Sequence, residues 1–169
     1  MKTLPFTKQL IADMRERIVY DSESGLLRWK DIGVNSFYRG KPIQFVNSKG
    51  YVAVRFQGNL YKAHRVAWAL HYDQIPPQYL DHINRNKSDN RIVNLRVATI
   101  SQNNCNTKIR KDNRTGHRGI YWHKPSKKWC AQIKANKKVI RQLFNNIQDA
   151  AVWADRKRKE LHGEFAATA

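Results

Sequence analysis

The 169-residue chain is poor in acid and cysteine: 13 Asp and Glu stand against 32 Lys and Arg, and Cys105 and Cys130 are the two cysteines. Two thiols cannot build a four-cysteine zinc site or a disulfide scaffold, so zinc and a stapled secreted fold drop out. No apolar run approaches the ~18 residues of a membrane-spanning helix. Lys8 and Asp13 fall where a secretion signal needs an unbroken apolar core. A cytoplasmic protein with no membrane partner is the expectation. The shortage of acid leaves a net charge of +19, which calls for a polyanion, DNA or RNA before an anionic membrane surface. At 41% hydrophobic residues with five Trp, the chain can nevertheless bury cores.

The charge is uneven. Residues 108–169 hold 16 of the basic residues, and the turn-rich stretch from Asn104 to Gly116 has no apolar periodicity and reads as a basic linker. Leu10, Ile11, Met14 and Ile18 recur at helical spacing, predicting a helix over 7–20, and Leu26–Trp29 suits a short strand. Tyr51–Phe56 and Leu60–Ala63 flank Gly58 and Asn59 as a hairpin, followed by a helix over 64–72 that ends before Pro76 and Pro77. Beyond the linker, three strands (119–122, 129–134 and 139–144) precede a helix capped by Asn146 and stopped near Gly163. Trp129, Ala131 and Ile133 alternate with Cys130, Gln132 and Lys134, giving one buried face and one open face. The fold class is α+β.

The densest polar segment runs from Tyr79 to Asn104. Leu80–Ile83 and Leu95–Ala98 make two short strands around a polar loop, and Thr99 with Gln102 has capping-box spacing for a helix that carries Asn103. Asp81 and His82, then Asn94, Leu95 and Arg96, then Asn103, resemble the HNH endonuclease motif. The variant is the one common in phage and intron-encoded homing endonucleases, with Asn as the last member. His64 and Arg65 upstream, and Asn86 and Lys87 in the loop, also match. The resemblance implies a ββα-metal nuclease unit over 46–106, preceded by a helix-and-strand region over 1–45.

Phosphodiester hydrolysis needs a base for water and a counter-charge for the phosphate and the leaving oxygen. The resemblance makes His82 the general base and Asn94 the residue that ties down the loop and supports it. Asp81 and Asn103 become the metal ligands. Their oxygens suit a single divalent ion, magnesium or in its place manganese, rather than zinc. His64, Arg65 and Arg96 become DNA contacts. Adjacent Asp81 and His82 point to opposite faces of a fully extended strand, so the metal and water sites need a twist or strand end there.

Arg118 to Trp122, Lys128 to Ile133, Leu143 and Phe144, and Asp149 to Ala151 are similar to the APETALA-type DNA-binding domain, over 117–169 after a linker at 107–116. That resemblance implies a three-stranded antiparallel sheet plus one helix, with the open sheet face in the major groove. Its positions here are Arg118, Tyr121, His123, Gln132, Lys134 and Lys138. Linker residues Lys108, Arg110, Lys111 and Arg114, and the run Arg156 to Lys159, suit phosphates.

The expectation is a sequence-directed, homing-type DNA endonuclease acting on double-stranded DNA. It would be a monomer or weak dimer without an obligatory protein partner, in the host cytoplasm if phage-encoded. The rivals are a non-catalytic DNA-binding regulator or nucleoid protein, and an RNA-binding protein.

Overall fold

Thr7 opens the first helix: its Oγ1 accepts the Leu10 N–H at 3.1 Å, and α1 (Lys8–Arg17) buries Leu10, Ile11 and Met14. The computed structural model describes residues 5–31, 36–107, 109, 112–135 and 138–166. Ile18 keeps helical spacing from Met14, yet the helix stops before it. Ile18–Tyr20 is β1, paired antiparallel with β2 (Leu27–Trp29). The expected helix over 7–20 is therefore three residues too long, because a β-branched and aromatic triplet finds a strand partner.

β3 (Ala53–Phe56) and β4 (Asn59–Lys62) form the expected hairpin, with Phe56 opposite Asn59. The two turn residues are Gln57 and Gly58, both at positive φ (45° and 75°), so the turn sits one residue earlier than the sequence suggests. α2 (Ala63–Tyr72) follows at once and ends on Asp73, in the left-handed region at φ 54°. Val54, Phe56, Tyr61, Val66 and Ala69 pack with Leu10, Ile11, Met14, Ile18 and Leu27 into one core. The helix-and-strand start of the chain thus shares its core with the hairpin and α2. β5 (Leu80–His82) and β6 (Leu95–Val97) close this part of the chain.

By its packing the chain divides into two units, residues 1–98 and 99–169. In the second, α3 (Ile100–Cys105) starts on a full capping box: Thr99 Oγ1 accepts the Gln102 N–H at 3.2 Å and Gln102 Oε1 accepts the Thr99 N–H at 2.8 Å. A three-stranded antiparallel sheet follows in the order β7 (Ile120–His123), β8 (Lys128–Ala135), β9 (Lys138–Phe144). α4 (Ile147–His162) is capped by Asn146, whose Oδ1 accepts the Asp149 N–H at 2.8 Å. Its Ala150, Trp153 and Ala154 lie on Ile120, Ala131 and Ile133, the small alanines allowing close approach. The linker lysines and arginine at 108, 110 and 111 lie outside the described residues. Among the described residues, no helix is long and apolar enough to cross a membrane.

Candidate active site

The β5–β6 ladder sets Asp81 opposite Arg96 and His82 opposite Leu95. Strand alternation separates the two adjacent side chains. The Asp81 carboxylate goes to Arg96, whose Nε and Nη2 both donate to Oδ2, at 3.0 and 2.8 Å, in a buried pair. His82 instead packs edge-on against the His64 ring, with centroids 4.9 Å apart, and both imidazoles lie against Tyr51.

Asparagines hold the loop between the strands. Asn94 Oδ1 accepts the Asn84 N–H at 2.9 Å, and its Nδ2 donates to Asn84 Oδ1 at 3.0 Å and to the Asp89 carbonyl at 2.8 Å. Asp89 accepts from Arg91 and from the Asn84 amide. The Arg91 guanidinium is the main cause that lowers the Asp89 pKa to about 2. Asn90, rather than Asn94, bonds the imidazole: it is 3% exposed and its Oδ1 lies 3.2 Å from His82 Nε2. Burial lowers the proton affinity of His82, while the Asn90 contact and the Asp81 charge act the other way. Asn90 is held from behind, since its carbonyl accepts the Tyr20 hydroxyl at 2.8 Å. Gly25, at φ 73°, comes so close that a Cβ there would lie 2.7 Å from the Asn90 carbonyl carbon. The β1–β2 hairpin thus braces the loop that orients the imidazole.

Several residues expected at the DNA surface are engaged elsewhere. His64 is 5% exposed, and its Nδ1 is a buried polar atom without a hydrogen-bond partner. Its pKa lies well below the ordinary imidazole value, first through burial and then through His82, Lys62 and Arg65. Arg65 points its guanidinium at the carbonyls of Pro76, Pro77 and Gln78, fixing the turn after α2. Arg96 is taken up by Asp81. Asn103 lies on α3 in the second unit. Asn90 is a site residue that the motif reading missed. With asparagines at 84, 86, 90 and 94, the sequence does not say which one turns toward the imidazole. No group of three His, Cys, Asp or Glu gathers to hold a metal among the described residues.

On the second unit, the register pairs Tyr121 with Cys130, Cys130 with Leu143, and Gln132 with Arg141. Ile120, Ala131, Ile133 and Ile140 take the face toward α4. The opposite face therefore carries Tyr121, His123, Gln132 and Lys134, and adds Arg141, whose Nε donates to Gln132 Oε1 at 2.9 Å. Arg141 was legible in the alternation from Ile140. Arg118 does not join this face: it donates to the Cys105 carbonyl and to Thr107 Oγ1, tying the end of α3 to the strand that follows. Lys138 pairs with Ala135 at the sheet end, on the parity of Ile140 rather than of Arg141.

Comparison with known proteins gives two matches. A family model described as HNH endonuclease matches residues 61–105, the span from β4 through α3. The chain is also 34% identical over 110 residues to Protein 3.8 of Escherichia phage T7, covering 63% of this chain and 91% of that protein. No solved structure matches.

Proposed function

Because this chain belongs to the HNH endonuclease family, we propose that it hydrolyses phosphodiester bonds of double-stranded DNA with His82 as the general base. A single observation carries the reading: the His82 imidazole is buried, packed against His64 and held at Nε2 by Asn90. That contact supports a tautomer with the proton on Nε2, which makes Nδ1 the basic nitrogen of the ring. Asn94 acts one step back by fixing the loop that carries Asn90.

The family motif assigns the cation to the Asp81 carboxylate, in the first unit, and expects the Asn103 amide oxygen, in the second, as a further donor. As hard oxygens these donors would suit magnesium or manganese. Bound there, a divalent ion supplies positive charge for the phosphate and the leaving 3′ oxygen. Asp81, which would hold the ion, is paired with the Arg96 guanidinium in this structure. The second unit, with its open sheet face of Tyr121, His123, Gln132, Lys134 and Arg141, directs the nuclease to a preferred sequence, as homing requires. In this reading His82 and Asn94 act from the first unit and the DNA-reading sheet belongs to the second.

Supercoiled-plasmid conversion with wild type and His82→Ala, each with magnesium or chelator, tests this. Magnesium-dependent nicking or linearisation lost in His82→Ala, while gel-shift binding persists, is the expected result. Binding without cleavage of any DNA, the source genome included, would overturn it in favour of a regulator.

A further inference from the structure

Tyr51 is half-buried, with its ring against His64 and His82 at centroid distances of 5.4 and 6.1 Å. Two lysines stand over that same ring: the Lys62 and Lys87 Nζ atoms are each 4.6 Å from its centroid. The ammoniums therefore lie no farther apart than twice that distance, within reach of one phosphodiester or of two successive ones. They are fixed rather than trailing in solvent. Lys62 is the residue before the first turn of α2, and Lys87 Nζ donates to the Lys49 carbonyl at 2.9 Å.

Lys62 and Lys87 thus stand at the rim of the imidazole pair, with Lys49 close enough to Lys62 to repel it, and among the described residues none of the three forms an ion pair. The first turn of α2 contains no acid either. Burial, together with Arg65, Lys49 and Lys87, lowers the proton affinity of Lys62, so the like charges are close enough to repel. Elsewhere in the same unit acid is used to satisfy cation: Asp89 takes Arg91 and Asp81 takes Arg96. An uncompensated cationic cluster on an aromatic platform beside a buried imidazole lacks an anion.

We propose that Lys62 and Lys87, seated over Tyr51, form a phosphate-binding subsite that grips the backbone of the cleaved DNA strand next to His82. The inference rests on the endonuclease reading and adds what holds the strand there. Tyr51 is the positioning residue, its ring fixing both ammoniums at a set height above the histidines. The lysines bind phosphate without reading sequence.

Duplex DNA binding is measured over a salt series in chelator, so that no cleavage is needed, for wild type, Lys62→Gln, Lys87→Gln, the double variant and the lysine-to-arginine pair. Each lost contact lowers the slope of log affinity against log salt by about 0.9, so the double variant falls by about 2. Both arginine variants retain the wild-type slope, and Lys8→Gln on α1 leaves it unchanged. With magnesium, the double variant raises KM more than it lowers kcat, the signature of binding made equally in ground and transition states. Tyr51→Phe keeps the slope and Tyr51→Leu loses part of it, with thermal melts confirming that both fold. A double variant with wild-type slope and KM, in a protein that still binds and cuts DNA, overturns the subsite alone. A wild type that binds DNA but never cuts overturns the endonuclease reading, while a lowered slope in the double variant would still support the lysine clamp. A wild type that does not bind DNA overturns both.

Discussion

The two polar surfaces of this chain are built in opposite ways. On β5–β6 the polar groups are buried and bonded to one another: Asn90 to His82, Asn94 to Asn84 and Asp89, and Arg96 to Asp81. On the open face of β7–β9 the sheet is built from its apolar side, and the polar side chains make only short local links, Arg141 to Gln132 and His123 to Ser126 among the described residues. Buried polar groups lose heavily when a partner goes, because the remaining group keeps its desolvation cost. Exposed ones lose little. The first surface therefore ties its polar groups to fold stability, and the second can change its side chains without touching the fold.

The largest expected effect is on the buried pair. Arg96→Ala leaves the Asp81 carboxylate, 6% exposed, without its guanidinium. Such losses cost about 3–5 kcal/mol. Urea unfolding read by Trp fluorescence should show the midpoint falling accordingly. A loss under about 1 kcal/mol would mean that the β5–β6 network is as loosely coupled as the open sheet face, and the contrast would collapse.

A smaller effect sharpens the comparison through pH. The buried His64 has its proton affinity pushed far down, so the folded chain refuses a proton that the unfolded chain accepts below about pH 6.5. Stability is therefore level above that pH and falls as the pH drops below it, by at most about 1.4 kcal/mol per pH unit. His64→Phe, which keeps a ring against His82, should flatten that part of the curve. Melts of both proteins between about pH 7.5 and 5 would check it, and parallel curves would count against a neutral buried imidazole.

Much of this was legible in the residues. The hairpin, the Thr99–Gln102 capping box, the Asn146 cap and the two faces of β8 follow from local rules, and all appear in the structure. What was not legible depends on contacts far away in sequence. Ile18 fits a helix until Trp29 pairs with it. Arg65 belongs to a DNA-contact pattern until the Pro76–Gln78 carbonyls take its guanidinium. Arg118 looks like a sheet-face reader until the end of α3 takes it. In each instance the sequence shows a capable donor or a compatible period, and only the fold shows which partner is near enough to win.

The smallest effect on stability is expected on the open face of the sheet, where the proposed function expects the largest consequence for recognition. Arg141 is exposed and bonded through Nε to Gln132, so Arg141→Ala should change folding stability by no more than about 0.5 kcal/mol. On DNA the same substitution removes a guanidinium suited to bidentate contact with a guanine edge, and it releases Gln132 from its fixed orientation. Loss of such a contact costs about 1–3 kcal/mol at the base pair it reads, against an even loss at every sequence for a phosphate contact. Selection of bound sequences from a random duplex pool separates the two: preference should relax at one or two adjacent positions in Arg141→Ala and stay intact in Lys159→Gln, in the run suited to phosphates. Uniform weakening in both variants would make this face a phosphate surface like the Lys62 and Lys87 pair, leaving sequence choice to another part of the chain.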